Sequence, residues 1–193
     1  MNSNPSRISL TRYFSLANQG VGMQTLWIVF FAALTAIGAQ VEIPNYPVPF
    51  TLQTLFVLLA GALLGPRNGA LSQILYLVAG LLGAPVFSGA GFGIVKLVGV
   101  TGGYLAGFPI AAALVGYLLQ KQDGLAWTFV SMGLGLVVVF SCGTLHLYTY
   151  HIHNFSAAFT SGFMIFSWWD ILKLGAAAMT YHEIAKRWPR VPR

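Results

Sequence analysis

Asp170 and Lys173 carry opposite charges three positions apart, well inside a mainly apolar run over about 160–184. An ionised side chain at the centre of a membrane helix costs roughly 2.5–3.5 kcal/mol on insertion scales, and such residues usually mark a ligand or ion path. The i, i+3 spacing puts both on one helix face, within reach of each other. Two roles fit. The pair is either a neutral strut that fastens one helix to its neighbours, or a polar floor for a solute. A carboxylate beside an ammonium offers acceptors and donors together, which suits a small molecule with amide-like or carboxylate groups. Trp168 and Trp169 precede the pair, either as lipid-facing or interfacial aromatics or as an apolar wall against such a solute.

His146, His151 and His153 invite a metal-site reading, with a metal-dependent membrane enzyme as its consequence. No carboxylate or thiolate accompanies them in the sequence, so solvated or interfacial histidines are the plainer account and no metal site is assigned. The single Cys142 rules out an internal disulfide. No G-x-x-x-x-G-K-[ST] phosphate loop occurs, so any ATP-driven step needs another subunit. No Ser/His/Asp arrangement stands at plausible membrane depth, and the chain reads as a non-enzyme without a cofactor.

The elements that position these residues follow from composition. Of 193 residues, 56% are hydrophobic and 7% charged, whereas an ordinary soluble domain carries about 25% charged residues. Such a chain cannot coat a water-facing surface, so its apolar residues face lipid. Apolar runs over about 21–41, 50–64, 70–82, 100–119, 125–147 and 160–184 predict six transmembrane helices. The first run is longer than the roughly 7–15 residues of a signal peptide's apolar region, so it is expected to remain as a helix. Glycines at 83, 89, 91 and 93 with Pro85 predict an irregular loop over 83–98, which at membrane depth must be buried or line a cavity.

The net charge is +6. In a six-span arrangement Arg7, Arg12, Arg67, Lys121, Lys186, Arg187, Arg190 and Arg193 fall on one side, and Lys96 alone on the other. Basic residues collect on the cytoplasmic side, which places both termini in the cytoplasm. The bases form no continuous face of the kind that binds nucleic acid. The expectation is therefore an all-α integral membrane protein, multi-pass in the cytoplasmic membrane. It has a cytoplasmic segment 1–20, a six-helix membrane domain 21–185 and a basic cytoplasmic tail 186–193. In the first span Ala32 and Ala36 form a small-xxx-small pair of the kind that lets helices approach closely in lipid. Gly99, Gly103 and Gly107 repeat the spacing in the fourth, where internal packing is expected.

Residues 47–61, Pro-Val-Pro-Phe-Thr-Leu-Gln-Thr-Leu-Phe-Val-Leu-Leu-Ala-Gly, closely resemble the signature of the BioY family of biotin transporters. So do Gly69-Ala70-Leu71-Ser72 with Leu75-Tyr76-Leu77, Gly83-Ala84-Pro85-Val86-Phe87, and Thr101-Gly102-Gly103-Tyr104-Leu105 with Gly107-Phe108. Asp170-Ile171-Leu172-Lys173 is similar to the family's Asp-x-x-Lys element near the end. The motifs run in order over about 25–185.

The resemblance implies a six-helix substrate-capture subunit of an energy-coupling-factor (ECF) vitamin transporter, with biotin held in a cavity near the outer face. It implies association with a transmembrane coupling subunit and two cytosolic ATPase subunits. The family's docking motif would fall on Ala32 and Ala36. Biotin has two ureido N–H donors and a carbonyl, an apolar thiophane ring and a valerate carboxylate. On that footing Asp170 is expected to accept from a ureido N–H and Lys173 to donate to a carbonyl or carboxylate oxygen. Gln53, Tyr76 and Tyr104 are candidate secondary polar contacts, and Phe87 and Trp169 candidate walls for the thiophane. A different vitamin remains the same-class alternative, because a fold alone does not fix its ligand.

Overall fold

The computed structural model describes residues 20–122, 124–164 and 168–187. Away from water a backbone must satisfy its own N–H and C=O groups, so the apolar runs become helices. The first, α1 (Val21–Gln40), stops before Pro44, Pro47 and Pro49, whose rings remove donors and clash with the preceding turn. This stretch folds back as two short antiparallel strands, β1 (Glu42–Ile43) and β2 (Phe50–Thr51), with Glu42 opposite Thr51 and Ile43 opposite Phe50.

The next segment, α2 (Gln53–Leu81), is two helices joined by a sharp reversal. Gly65 has φ 78° and ψ 179°, a conformation that glycine reaches without the steric cost borne by other residues. Pro66 then starts the second half, a position where its missing N–H costs nothing. The proof of reversal is that Gln53 Nε2 lies 2.6 Å from Tyr76 Oη, whereas 23 residues of straight helix would separate them by about 35 Å. Gly69 lets the halves touch: a Cβ there would press on the Gly61 backbone.

After a tight turn at Ser88–Ala90 come the short α3 (Ile94–Val98), α4 (Gly102–Leu119) and α5 (Leu125–Leu147). α5 continues as a π turn, Tyr148–Ile152. α6 (Phe155–Phe159) begins with Asn154, whose side chain accepts from the Ala157 N–H at 3.0 Å. A second π turn, Thr160–Met164, precedes α7 (Trp168–Arg187).

Close helix approach sets the bundle. α2 packs on α1 and α4, α4 on α5, and α7 on both α2 and α5. Cβ atoms at Gly61 and Gly116 would strike the Ala112 and Gly65–Pro66 backbones, so the α2–α4 seam depends on small residues. Gly103 and Gly107 play the same part against α5, as expected, whereas Gly99 caps α3 and lies before α4 begins.

The distribution of polarity is inverted relative to a water-soluble domain. Val29, Ile37, Ile74, Ile110, Val137, Ile171 and Met179 are exposed on the long helices, while Thr35, Gln53, Asn68, Ser72, Gln73, Asp170 and Lys173 are buried. Lipid-facing surfaces have this character. Among the described residues four helices, Val21–Gln40, Gln53–Leu81, Gly102–Leu119 and Leu125–Ile152, are long and apolar enough to cross a membrane.

Several boundaries move. The helix expected from residue 50 starts at Gln53, because β2 pairing holds Phe50 and Thr51 extended. The expected loop 83–98 contains a 3₁₀ turn and α3, and the polar loop 148–159 contains helical turns and α6. The sixth apolar run opens with the π turn Thr160–Met164, and α7 covers Trp168–Arg187. Residues 1–19 of the expected N-terminal segment and 188–193 of the basic tail lie outside the described residues.

Candidate solute-binding site

The first turns of α7 bring Asp170 and Lys173 to the junction of β2 and α2. There Thr51, the last residue of β2, presents its backbone carbonyl to Lys173, and Thr54, in the first turn of α2, presents its hydroxyl. The pair is 3% and 5% exposed, so burial of its charges depends on the quality of its hydrogen bonds. Lys173 Nζ lies 2.6 Å from Asp170 Oδ1. It also donates to Thr54 Oγ1 at 2.8 Å and to the Thr51 carbonyl at 2.9 Å. An ammonium has three N–H donors, and these three acceptors match them. Thr54 Oγ1 in turn donates to Asp170 Oδ1 at 3.4 Å.

The carboxylate is left half-used. Asp170 Oδ2 is buried and has no hydrogen-bond partner among the described residues. A buried unpaired acceptor is destabilising by about 1–3 kcal/mol, more when charged. Asp170 and Lys173 line a cavity of about 50 Å³. Its walls are apolar: Val48 and Pro49 from the α1–α2 loop, Phe87 with Ser88, Leu105 and Phe108 on α4, and Val139 and Phe140 on α5. An apolar chamber with a few convergent polar groups suits a small amphipathic solute.

The other expected contacts divide. Phe87 lines the cavity and is 1% exposed. The far end of its ring lies against Gly80, where a Cβ would collide with it. Tyr104 lines the cavity too, with its hydroxyl donating to the Gly162 carbonyl at 2.8 Å. Gln53 lines it, but its amide is spent within the protein: Oε1 accepts from Thr51 Oγ1 at 2.8 Å and Nε2 donates to Tyr76 Oη. Tyr76 is absent from the lining. Its hydroxyl passes the chain on to the Val86 carbonyl at 3.2 Å, and its ring stands edge-on to Phe87 at 5.5 Å. Tyr76 is therefore a support beneath the wall. Trp169 is half-buried and also outside the lining.

Ala32 is 7% exposed and Ala36 half-buried, both packed into the α1–α2 contact. That face of α1 is used within the fold; its free face carries Val29, Ala33 and Ile37. His146 and His151 meet with ring centroids 5.4 Å apart and brace the end of α3. His146 Nε2 is 3.0 Å from the Gly99 carbonyl, and His151 Nε2 is 3.1 Å from that of Val98. His153 sits apart in a left-handed turn, φ 51°. Among the described residues no group of three or more His, Cys, Asp and Glu is placed to hold a metal.

Thr51 and Thr54 were not foreseen. Only the Thr54 hydroxyl faces α7; Thr51 meets Lys173 through its backbone carbonyl, which no side-chain pattern announces.

Residues 12–190 match the model of the BioY family. The chain is 40% identical over 156 residues to the biotin transporter BioY of Thermotoga maritima, covering 81% of this chain and 92% of that one. It is 32% identical over 178 residues to the biotin transporter BioY of Rhizobium etli, covering 86% and 95%. Its fold matches the crystal structure of the S-component for biotin from an ECF-type ABC transporter, with TM-score 0.78, 24% identity, and 84% and 90% of the two chains covered. A family match running through nearly the whole chain, together with relatives of this identity and coverage, means that the chain belongs to the BioY family.

Proposed function

We propose that this protein captures biotin and carries it across the cell membrane as the substrate-binding subunit of an ECF-type transporter. The observation that carries the reading is Asp170 Oδ2, a buried carboxylate oxygen without a hydrogen-bond partner among the described residues, beside an apolar chamber. It calls for a solute N–H, and a ureido ring supplies one. The thiophane ring then packs against Phe87, Phe108 and Phe140. Relatives named as biotin transporters, and a fold shared with an S-component for biotin, support the same ligand and a transport role rather than an enzymatic one.

In this reading Asp170 is the ligand contact and Lys173 positions it. With its three donors already matched, Lys173 reaches the solute only by giving up Thr51 or Thr54. Gln53 and Tyr104 border the solute, and Tyr76 acts from behind Phe87.

The chain crosses the membrane six times, with the two halves of α2 counted separately and α7 as the last span. Support comes from the reversal at Gly65 and from Arg67 and Lys121 at turns on the side where basic residues collect. Both termini are then cytoplasmic. A transmembrane coupling subunit and two cytosolic ATPase subunits drive uptake, since the chain has no phosphate loop of its own. Docking through α1 uses the free face at Val29, Ala33 and Ile37, beside the buried Ala32 and the half-buried Ala36.

The segment 83–98 acts as an outer lid. A cavity of about 50 Å³ holds about four waters in that measure, less than a bicyclic solute with a side chain displaces. Phe87 and Ser88 must therefore yield, and Gly83 and Gly93, with φ 101° and 78°, are the pivots.

Equilibrium binding of biotin to detergent-purified protein, with lipoate and thiamine as competitors, tests the function. Tight binding that biotin alone displaces is expected, with a loss of tenfold or more in Asp170→Asn. Failure of the folded wild-type protein to bind biotin ends the proposal.

A further inference from the structure

The turn at residues 87–90 is clasped by a single side chain from another element. Gln40, the last residue of α1, donates from Nε2 to the Phe87 carbonyl at 3.1 Å and accepts at Oε1 from the Ala90 N–H at 3.0 Å. Both ends of one primary amide are thus matched to backbone groups three residues apart. The turn is internally closed as well: the Phe87 and Gly91 backbones exchange hydrogen bonds at 3.0 and 3.1 Å, and Lys96 Nζ donates to the Ser88 carbonyl at 3.0 Å. It therefore moves as a unit, and Gln40 ties that unit to α1.

Position gives the clasp its consequence. Gln40 leads directly into the α1–α2 loop, whose Val48 and Pro49 form one wall of the cavity. Phe87 and Ser88, in the turn it holds, line the same cavity. One side chain thus staples two sides of the chamber. Its polar atoms meet only backbone groups of the turn, so what it fixes is the backbone behind the Phe87 ring.

We infer that Gln40 is the latch of the binding site: a positioning residue that sets how long the solute stays, without contacting it. The inference rests on the reading of residues 83–98 as a lid. A primary amide is required, because one face must donate and the other accept. A carboxylate would turn oxygen against the Phe87 carbonyl, and a thioether would match neither group.

The latch is tested by biotin association and dissociation rates on Gln40→Met and Gln40→Glu, together with binding stoichiometry. Losing two hydrogen bonds is expected to speed release about tenfold or more, with stoichiometry retained and association unchanged or faster. Release at the wild-type rate, or loss of stoichiometry with an unchanged release rate, overturns the inference; the latter makes Gln40 a folding residue. A spin label at the exposed Phe92→Cys, on a Cys142→Ser background, gives a second reading that needs no ligand. Its mobility is expected to rise in Gln40→Met, and equal mobility in the two proteins refutes the latch even if biotin proves the wrong solute. Failure of wild-type protein to bind biotin, with the Phe92 label still loosened by Gln40→Met, removes the ligand and leaves the latch.

Discussion

Gln53 and Tyr76 meet at 2.6 Å although they belong to one helical segment, and the contact exists because that segment reverses at Gly65. It continues a chain that starts at Thr51 Oγ1, passes through the Gln53 amide and the Tyr76 hydroxyl, and ends on the Val86 carbonyl at the root of the lid. The same Thr51 gives its carbonyl to Lys173. The charged floor and the lid thus share one polar scaffold.

Tyr76→Phe keeps the ring under Phe87 and removes the hydroxyl. The buried Gln53 N–H and the Val86 carbonyl then lose a partner, at a cost of about 1–3 kcal/mol. Thermal unfolding in detergent should show the loss, while biotin affinity falls by a few-fold at most, because Tyr76 does not border the cavity. A fall as large as that of Asp170→Asn would make Tyr76 a ligand contact after all.

The ion pair separates stability from binding. Lys173→Met leaves a lone carboxylate in dry surroundings, and breaking one partner of a buried pair costs about 3–5 kcal/mol. Asp170→Asn with Lys173→Met removes both charges, so most of that stability should return. Binding should stay at least tenfold weaker, because the acceptor for the solute N–H has gone. Recovery of both properties in the double variant would show the pair to be a strut between α7 and α2.

How far this was legible in the sequence follows from the physics of each residue. Asp170 and Lys173 stood out because charge in an apolar run is expensive, and α5 was readable to its boundaries because nothing interrupts residues 125–147. Gly65-Pro66 marked the reversal within α2. Thr51 and Thr54 were hidden, since hydroxyls are tolerated in membrane helices and carry no charge to betray them. Phe108 and Phe140, on α4 and α5, line the cavity without having stood out in the sequence. A helix that is apolar all round has no periodic signal for which face looks inward, so rotation is decided by packing. β1 and β2, two residues each, depend on a pairing no local pattern announces.

Two glycines give opposite outcomes from the same added methyl. At Gly61 a Cβ meets the Ala112 backbone, which cannot yield without parting α2 from α4. Gly61→Ala should therefore cost about 1–3 kcal/mol of stability. At Gly80 the Cβ meets the outer edge of the Phe87 ring, a side chain that can swing aside. Gly80→Ala should leave unfolding nearly unchanged and shift the cavity wall, weakening biotin binding several-fold. Calorimetry and binding on the two variants check the contrast, and equal destabilisation would refute it.

The lid makes a prediction about ordering that a rigid pocket does not. Phe87 and Ser88 must part from Val48 and Pro49 to admit a solute larger than the present cavity, and the movement is carried by the backbone between Gly83 and Gly93. A nitroxide at Phe92→Cys, where the side chain is 59% exposed, should broaden its spectrum on biotin binding, because the bound ring system packs on Phe87 and holds the turn closed. A label on α5 at Val137→Cys, on the lipid-facing surface of a long helix, should not respond. Identical spectra at Phe92 with and without saturating biotin would mean that the solute enters by another route, and that residues 83–98 are a fixed wall.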